Sequence, residues 1–111
     1  MTTFDFDDGK GPVPAHKHPN GGGWVADTAK VAKTAYVGAE ARVYGNAEVY
    51  DNAEVFGNAL VYDNAKVYDN ARVYYNAEVF GNALVSGDAE VYGNALVSGY
   101  ALVSGYARVN A

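Results

Sequence analysis

The residues able to do chemistry in this chain are few and lie near its start. His16-Lys17-His18 places two imidazoles on one side of an extended segment, where they could share a metal ion. A third ligand would come from Asp5, Asp7, Asp8 or another subunit. The competing reading is a pair of histidines that orders a turn-rich segment. For acid–base work the pair lacks a visible nucleophile or an oriented partner. Asp5-Phe6-Asp7-Asp8-Gly9 has the flavour of a calcium loop but lacks its spaced ligands and terminal glutamate. The chain has no cysteine, so disulfides and thiolate metal sites are excluded. Taken residue by residue, the sequence predicts no catalytic group, no cofactor and no enzyme.

The element that must position everything else runs from Val25 to Val109. Valine recurs at every sixth position across it, and alanine keeps the same beat from Ala29 to Ala107. The unit is Ala-x-Val-aromatic-(Gly/Asp)-Asn, as in Ala47-Glu48-Val49-Tyr50-Asp51-Asn52. Neither a 3.6-residue helix nor a plain strand of period two explains a strict period of six. A solenoid does, because each repeat is one short strand and one corner that cannot bury its apolar face alone. Alanine and valine, two apart, point into the core, and their neighbours point out. Gly or Asp followed by Asn makes the corner, since these residues tolerate left-handed backbone angles. Three sides close a triangle, so 18 residues make a coil and the repeat makes about five coils stacked at ~4.8 Å. The sequence thus predicts an all-β solenoid over 24–111, preceded by an irregular N-terminal arm over 1–23. Trp24 is expected to lie as a lid on the open end of the core.

The hexad resembles the repeat of left-handed parallel β-helices, which carry an aliphatic residue at one position and a small residue four later, as Val43 and Ala47 do here. The resemblance covers about three quarters of the chain and implies the left hand, which general crossover rules would not favour. Within that hexapeptide-repeat group the chain is most similar to small bacterial and phage proteins of uncharacterised role. Those open on Gly-Gly-Trp-Val, here Gly22-Gly23-Trp24-Val25, before Asn-Ala-x-Val repeats. Three enzymatic or binding analogues fail at the residues that would carry them. Hexapeptide acyltransferases use a histidine and a loop interrupting the coil, and this repeat has neither. The γ-class carbonic anhydrases need three histidines, whereas only His16 and His18 exist here. Ice-binding helices use threonine ranks, and threonine stands only at 2, 3, 28 and 34.

Sorting the chain by 18 predicts what stacks on what. Glu54, Arg72, Glu90 and Arg108 alternate in sign up one face, each pair expected to contribute ~0.2–1 kcal/mol. Asn ladders are expected to bond up the corners. Tyr44, Tyr50, Phe56, Tyr62, Tyr68, Tyr74, Phe80 and Tyr92 point outward and stack. Leu84, Leu96 and Leu102, beside Ser86, Ser98 and Ser104, form a flatter apolar surface that suggests an oligomer interface. The resembling family implies a trimer.

With 8 basic and 13 acidic residues, the chain lacks a basic footprint for nucleic acid. It has no apolar run of about 18 residues to enter a membrane, and its acidic start, unlike a signal peptide, implies the cytoplasm (a bacterial host's, if phage-encoded). The functional expectation is a non-enzymatic, self-associating β-helix acting as a binding or assembly module. Three alternatives accompany it. One is an oligomeric module that sequesters a small molecule such as a nucleotide immune signal, with His16, His18, Trp24, Tyr44 and Tyr62 as candidate ligand contacts. The others are a virion or filament component and, disfavoured, an acyltransferase-like enzyme. Fold analogy alone chooses among none of them.

Overall fold

A computed structural model of the chain describes residues 2–111. β1 (Thr3–Asp5) and β2 (Pro12–Lys17) form an antiparallel hairpin. The first coil follows, with β3 (Trp24–Ala26), β4 (Lys30–Val31) and β5 (Tyr36–Val37). The second holds β6 (Arg42–Val43), β7 (Glu48–Val49) and β8 (Glu54–Val55). The third holds β9 (Leu60–Val61), β10 (Lys66–Val67) and β11 (Arg72–Val73). The fourth has β12 (Glu78–Val79), β13 (Leu84–Val85) and β14 (Glu90–Tyr92), and the fifth β15 (Leu96–Val97), β16 (Leu102–Val103) and β17 (Arg108–Asn110). Among the described residues there is no helix. The strands stack into three sheets, parallel between coils, in register at a spacing of 18, as Lys66↔Leu84 and Glu78↔Leu96. The chain is an all-β solenoid of about five turns, as the hexad predicts.

The core is the column of valines and alanines. From Val37 to Val91 each repeat alanine and valine is fully buried. Coils are joined by the amides flanking each valine, such as Glu48 N–H to Ala65 O (3.0 Å) and Tyr50 N–H to Val67 O (3.0 Å). The first corner residue is left-handed in every coil from the second onward, at φ 67° for Gly45 and 58° for Asp51. Aspartate is used there because its carboxylate also binds the coil above. Asp51 accepts from Asp69 N–H (3.2 Å) and Asp69 from Gly87 N–H (3.0 Å). These backbone and carboxylate bonds, with Asn46 N–H to Asp63 O (2.8 Å), hold the corners. The expected Asn–Asn ladders do not: among the described residues one such bond forms, Asn58 to Asn76 at 3.5 Å.

The arm departs from expectation. It is not irregular, because β2 pairs antiparallel with β3 and extends the first sheet to seven strands. Trp24 is not a lid either. It pairs with Arg42, and its neighbour Val25 points inward, so alternation places the indole on the outer face. The open end is covered instead by residues 18–23. Gly23 N–H bonds Val37 O (2.9 Å), and Val37 N–H bonds Asn20 O (3.0 Å). A side chain at Gly23 would collide with Gly38 O and Val37, which is why the segment is glycine-rich.

Candidate functional site

The histidines are drawn apart by their partners. His16 pairs with Val25 across β2 and β3, so it faces the core side of the sheet, as His18 does two residues on. His16 Nδ1 lies 2.7 Å from Asp27 Oδ1 at an exposed position. His18 is 3% exposed, with Nε2 2.8 Å from Ala35 O, where Asn20 Nδ2 also donates (3.1 Å). Buried and bonded to a backbone carbonyl, His18 pins the covering segment to the first coil. Asp7 lies 3.7 Å from Arg42, and Asp5 accepts from Asp7 N–H (2.9 Å). Among the described residues no group of three His, Asp or Glu side chains converges as a metal would require.

The outer face of the first sheet is the most elaborated surface. Position 26 is alanine where the coils above carry Tyr44, Tyr62 and Phe80. Phe6 from the arm fills the vacant rung and stacks on Tyr44 at 4.8 Å. Tyr44 stacks on Tyr62 (4.9 Å) and Tyr62 on Phe80 (5.0 Å). Behind this ladder Phe4 stacks on Trp24 (4.7 Å), with the Arg42 guanidinium over Phe4 (4.9 Å) and Lys17 over Trp24 (5.6 Å). Phe6, Ala15, Ala26 and Tyr44 are buried together, a small second core outside the coil. The sequence signal for it was available: an alanine stands at an aromatic position of the hexad, and Phe6 is an aromatic ring in the arm with no place in the repeat.

Beside the ladder lies a groove of about 570 Å³. Arg42, Tyr44, Leu60, Tyr62, Asp63 and Glu78 form its coil wall, and Phe6, Asp7, Asp8 and Lys10 its arm wall. Tyr62 donates to Glu78 Oε1 (2.8 Å), just as Tyr74 donates to Glu90 Oε1 (2.9 Å) on another face. In each pair the glutamate stands sixteen residues ahead of the tyrosine. For Tyr44 that position is Leu60, and for Tyr50, Tyr68 and Tyr92 it is Lys66, Leu84 and Arg108, so none of these four has the glutamate partner of Tyr62 and Tyr74. Burial, and then the carboxylates of Asp8, Glu78 and Asp63, push the Tyr44 hydroxyl up to about 12. Tyr62 is raised further, by burial and then by its bond to Glu78.

The expected interface residues lie at the other end. Leu96 is 63% exposed and Leu102 71%, whereas Leu84 is half-buried. Leu84 and Leu102 are register partners on one face, and Leu96 lies on the adjacent face. Ser98 and Ser104 are exposed beside them and Ser86 is half-buried. Tyr100 and Tyr106 project from the corners of the same coil, almost wholly exposed.

Residues 89–105 match the family model of the YdcK beta solenoid repeat. The match spans nearly one coil, β14 to β16, and agrees with the stacked architecture. No curated protein and no solved structure matches the chain. No helix among the described residues is long and apolar enough to cross a membrane.

Proposed function

We propose that this chain is a non-enzymatic, self-associating left-handed β-helix of the hexapeptide type, acting as a binding or assembly module in the cytoplasm. The observation that carries it is the apolar surface of the last two coils. Leu96 and Leu102 are exposed on adjacent faces, and Leu102 lies in register with Leu84. Monomers seldom leave stacked leucines in water, and such patches mark association surfaces. The expected salt ladder is reduced, among the described residues, to the pair Glu54–Arg72, and it and the aromatic ladders are accounted for by contacts between coils, so the leucines are the feature left over. A closed trimer is the assembly that fits the resembling fold. Light scattering and native mass spectrometry on wild type and on the Leu96→Glu/Leu102→Glu double variant test it: a defined oligomer should become a folded monomer.

A second reading, a module that holds a small molecule, is favoured by one observation. The groove between arm and coil brings Tyr44 and Tyr62 together with charged groups of both elements. Both candidate contacts line it, whereas His16, His18 and Trp24 do not.

A further inference from the structure

We propose that the open edge of β4 receives an extended peptide strand from a partner protein, with an aromatic side chain of that strand stacked on Tyr50 over Ala32 and a carboxylate set against Lys30 and Lys33. The site lies on the first coil, away from the leucine surface, and stands whether or not that surface self-associates.

The first coil closes two of its three faces in the same way. On the first face β2 pairs with β3 at the edge, and Phe6 fills the rung beside Ala26 by stacking on Tyr44 (4.8 Å). On the third, both backbone groups of Val37 are bonded, its N–H to Asn20 O (3.0 Å) and its carbonyl by Gly23 N–H (2.9 Å). The rung there is Gly38, and Tyr36 reaches its place: a side chain at Gly38 would put its Cβ 3.5 Å from Tyr36 Cε2. Each of these faces receives backbone partners at its edge and an aromatic ring at its small-residue rung.

The second face has the small residue and neither partner. Ala32 stands in the column of Tyr50 and Tyr68, which stack at 5.0 Å, and among the described residues no ring covers Tyr50 from the Ala32 side. β4 pairs only with β7. Lys30 N–H bonds Ala47 O (3.0 Å) and Ala32 N–H bonds Val49 O (2.8 Å), so alternation turns the N–H and C=O of Val31 the other way, onto the open edge. Val31 is half-buried, whereas Val25 and Val37 are fully buried. Beside it lies a groove of about 340 Å³ lined by Lys30, Val31, Ala32, Glu48, Val49 and Tyr50.

A vacant rung alone would take any flat ring. Its coincidence with an unpaired backbone donor and acceptor favours a strand, which fills both at once, as the arm does one face away. Charge selects the strand. Lys30 and Lys33 flank the edge, and among the described residues neither is in an ion pair. Glu48, in register with Lys30, is the one carboxylate lining the groove. Pairing with the same edge of a second copy would set these lysines against themselves. A strand with carboxylates next to its aromatic residue meets opposite charge instead.

The test is a titration of isotope-labelled protein followed by amide NMR. The probes are the peptide acetyl-Val-Tyr-Val-Asp-Asp-amide, the same peptide with alanine for tyrosine, and p-cresol as a free ring. The tyrosine peptide should give a saturable shift of residues 30–32 and 48–50, with a dissociation constant of about 1 mM or below. The alanine peptide should bind about fivefold more weakly. Lys30→Glu/Lys33→Glu should weaken the tyrosine peptide by about the same factor. Ala32→Tyr fills the rung from within the chain. It should raise the melting temperature through stacking on Tyr50, and remove the advantage of the tyrosine peptide over the alanine one. A lowered melting temperature in Ala32→Tyr, or a tyrosine advantage that it leaves intact, would overturn the rung. Binding of p-cresol at the same residues as tightly as the peptide would overturn the strand, and no saturable shift up to about 10 mM would overturn the site.

Discussion

The first coil and the last are built from the same hexad, yet they meet water in opposite ways. At the N-terminal end the arm adds two strands, inserts Phe6 into the aromatic ladder and buries His18 against Ala35 O. At the other end Ser98 and Ser104 replace the rings, and Leu96, Leu102, Tyr100 and Tyr106 stand exposed. The difference teaches that the repeat supplies a core but not a finished surface. Where the arm covers the coil, departures from the hexad are matched by partners within the chain: Ala26 makes room for Phe6. Where nothing in the chain covers it, departures present apolar side chains instead, which is the arrangement expected of a surface met by another subunit.

The contrast can be broken first at the covered end. Phe6→Ala should cost about 3 kcal/mol, since it empties a buried rung between Ala26 and Tyr44. Urea unfolding would measure it, and a loss below about 1 kcal/mol would mean that the arm is ornament and not structure.

Alkali acts on the same end more weakly. Tyr44 is pushed from the ordinary 10 up to about 12, first by burial and then by nearby carboxylates, so the unfolded chain gives up this proton before the folded one does. Stability is therefore complete below pH 10 and is lost as pH rises toward 12, with solvent at the hydroxyl screening the loss from this residue to about 1 kcal/mol. Thermal melts from pH 9 to 12 should show a steep decline that is shallower in Tyr44→Phe.

Tyr75 sharpens the comparison from the middle of the coil, where it takes a left-handed corner (φ 58°) otherwise held by Gly or Asp. Its backbone strain is offset by edge contacts with Tyr74 (4.9 Å) and Tyr92 (6.5 Å). Tyr75→Asp should thus change stability by less than about 1 kcal/mol, and a gain well beyond that would mark Tyr75 as a residue kept for a partner. The smallest effect is expected at Glu54 and Arg72, 3.8 Å apart and half in water. A double-mutant cycle should give a coupling below about 0.5 kcal/mol.

The coil was legible in the sequence because its rule is local. Val and Ala two apart define the inward side, and a spacing of six recurs without a slip, so register and stacking follow from Val25 onward. The arm was less legible because its strands carry breaker residues. Pro12 and Pro14 argue against a strand, yet β2 pairs on both edges and loses little. Pro14 forfeits its donor while its carbonyl accepts Asp27 N–H (2.9 Å). Trp24 was misplaced for a different reason: the need of a solenoid end for a cap suggested a lid, although alternation beside the inward Val25 already assigned it to the outer face. The groove could not be read at all. It depends on Phe6, Asp8 and Tyr44 meeting across 38 residues of chain. The leucines, by contrast, were visible as outward positions from the hexad alone.

The central claim, that the last coils are a surface for a second copy of this chain, is tested most directly by the native mass. Purified protein should run as a defined multiple of 11.7 kDa, with three copies favoured. Leu96→Glu/Leu102→Glu should run at 11.7 kDa with an unchanged far-ultraviolet spectrum. A wild-type monomer across the micromolar range, or a double variant of unaltered mass, would contradict the account.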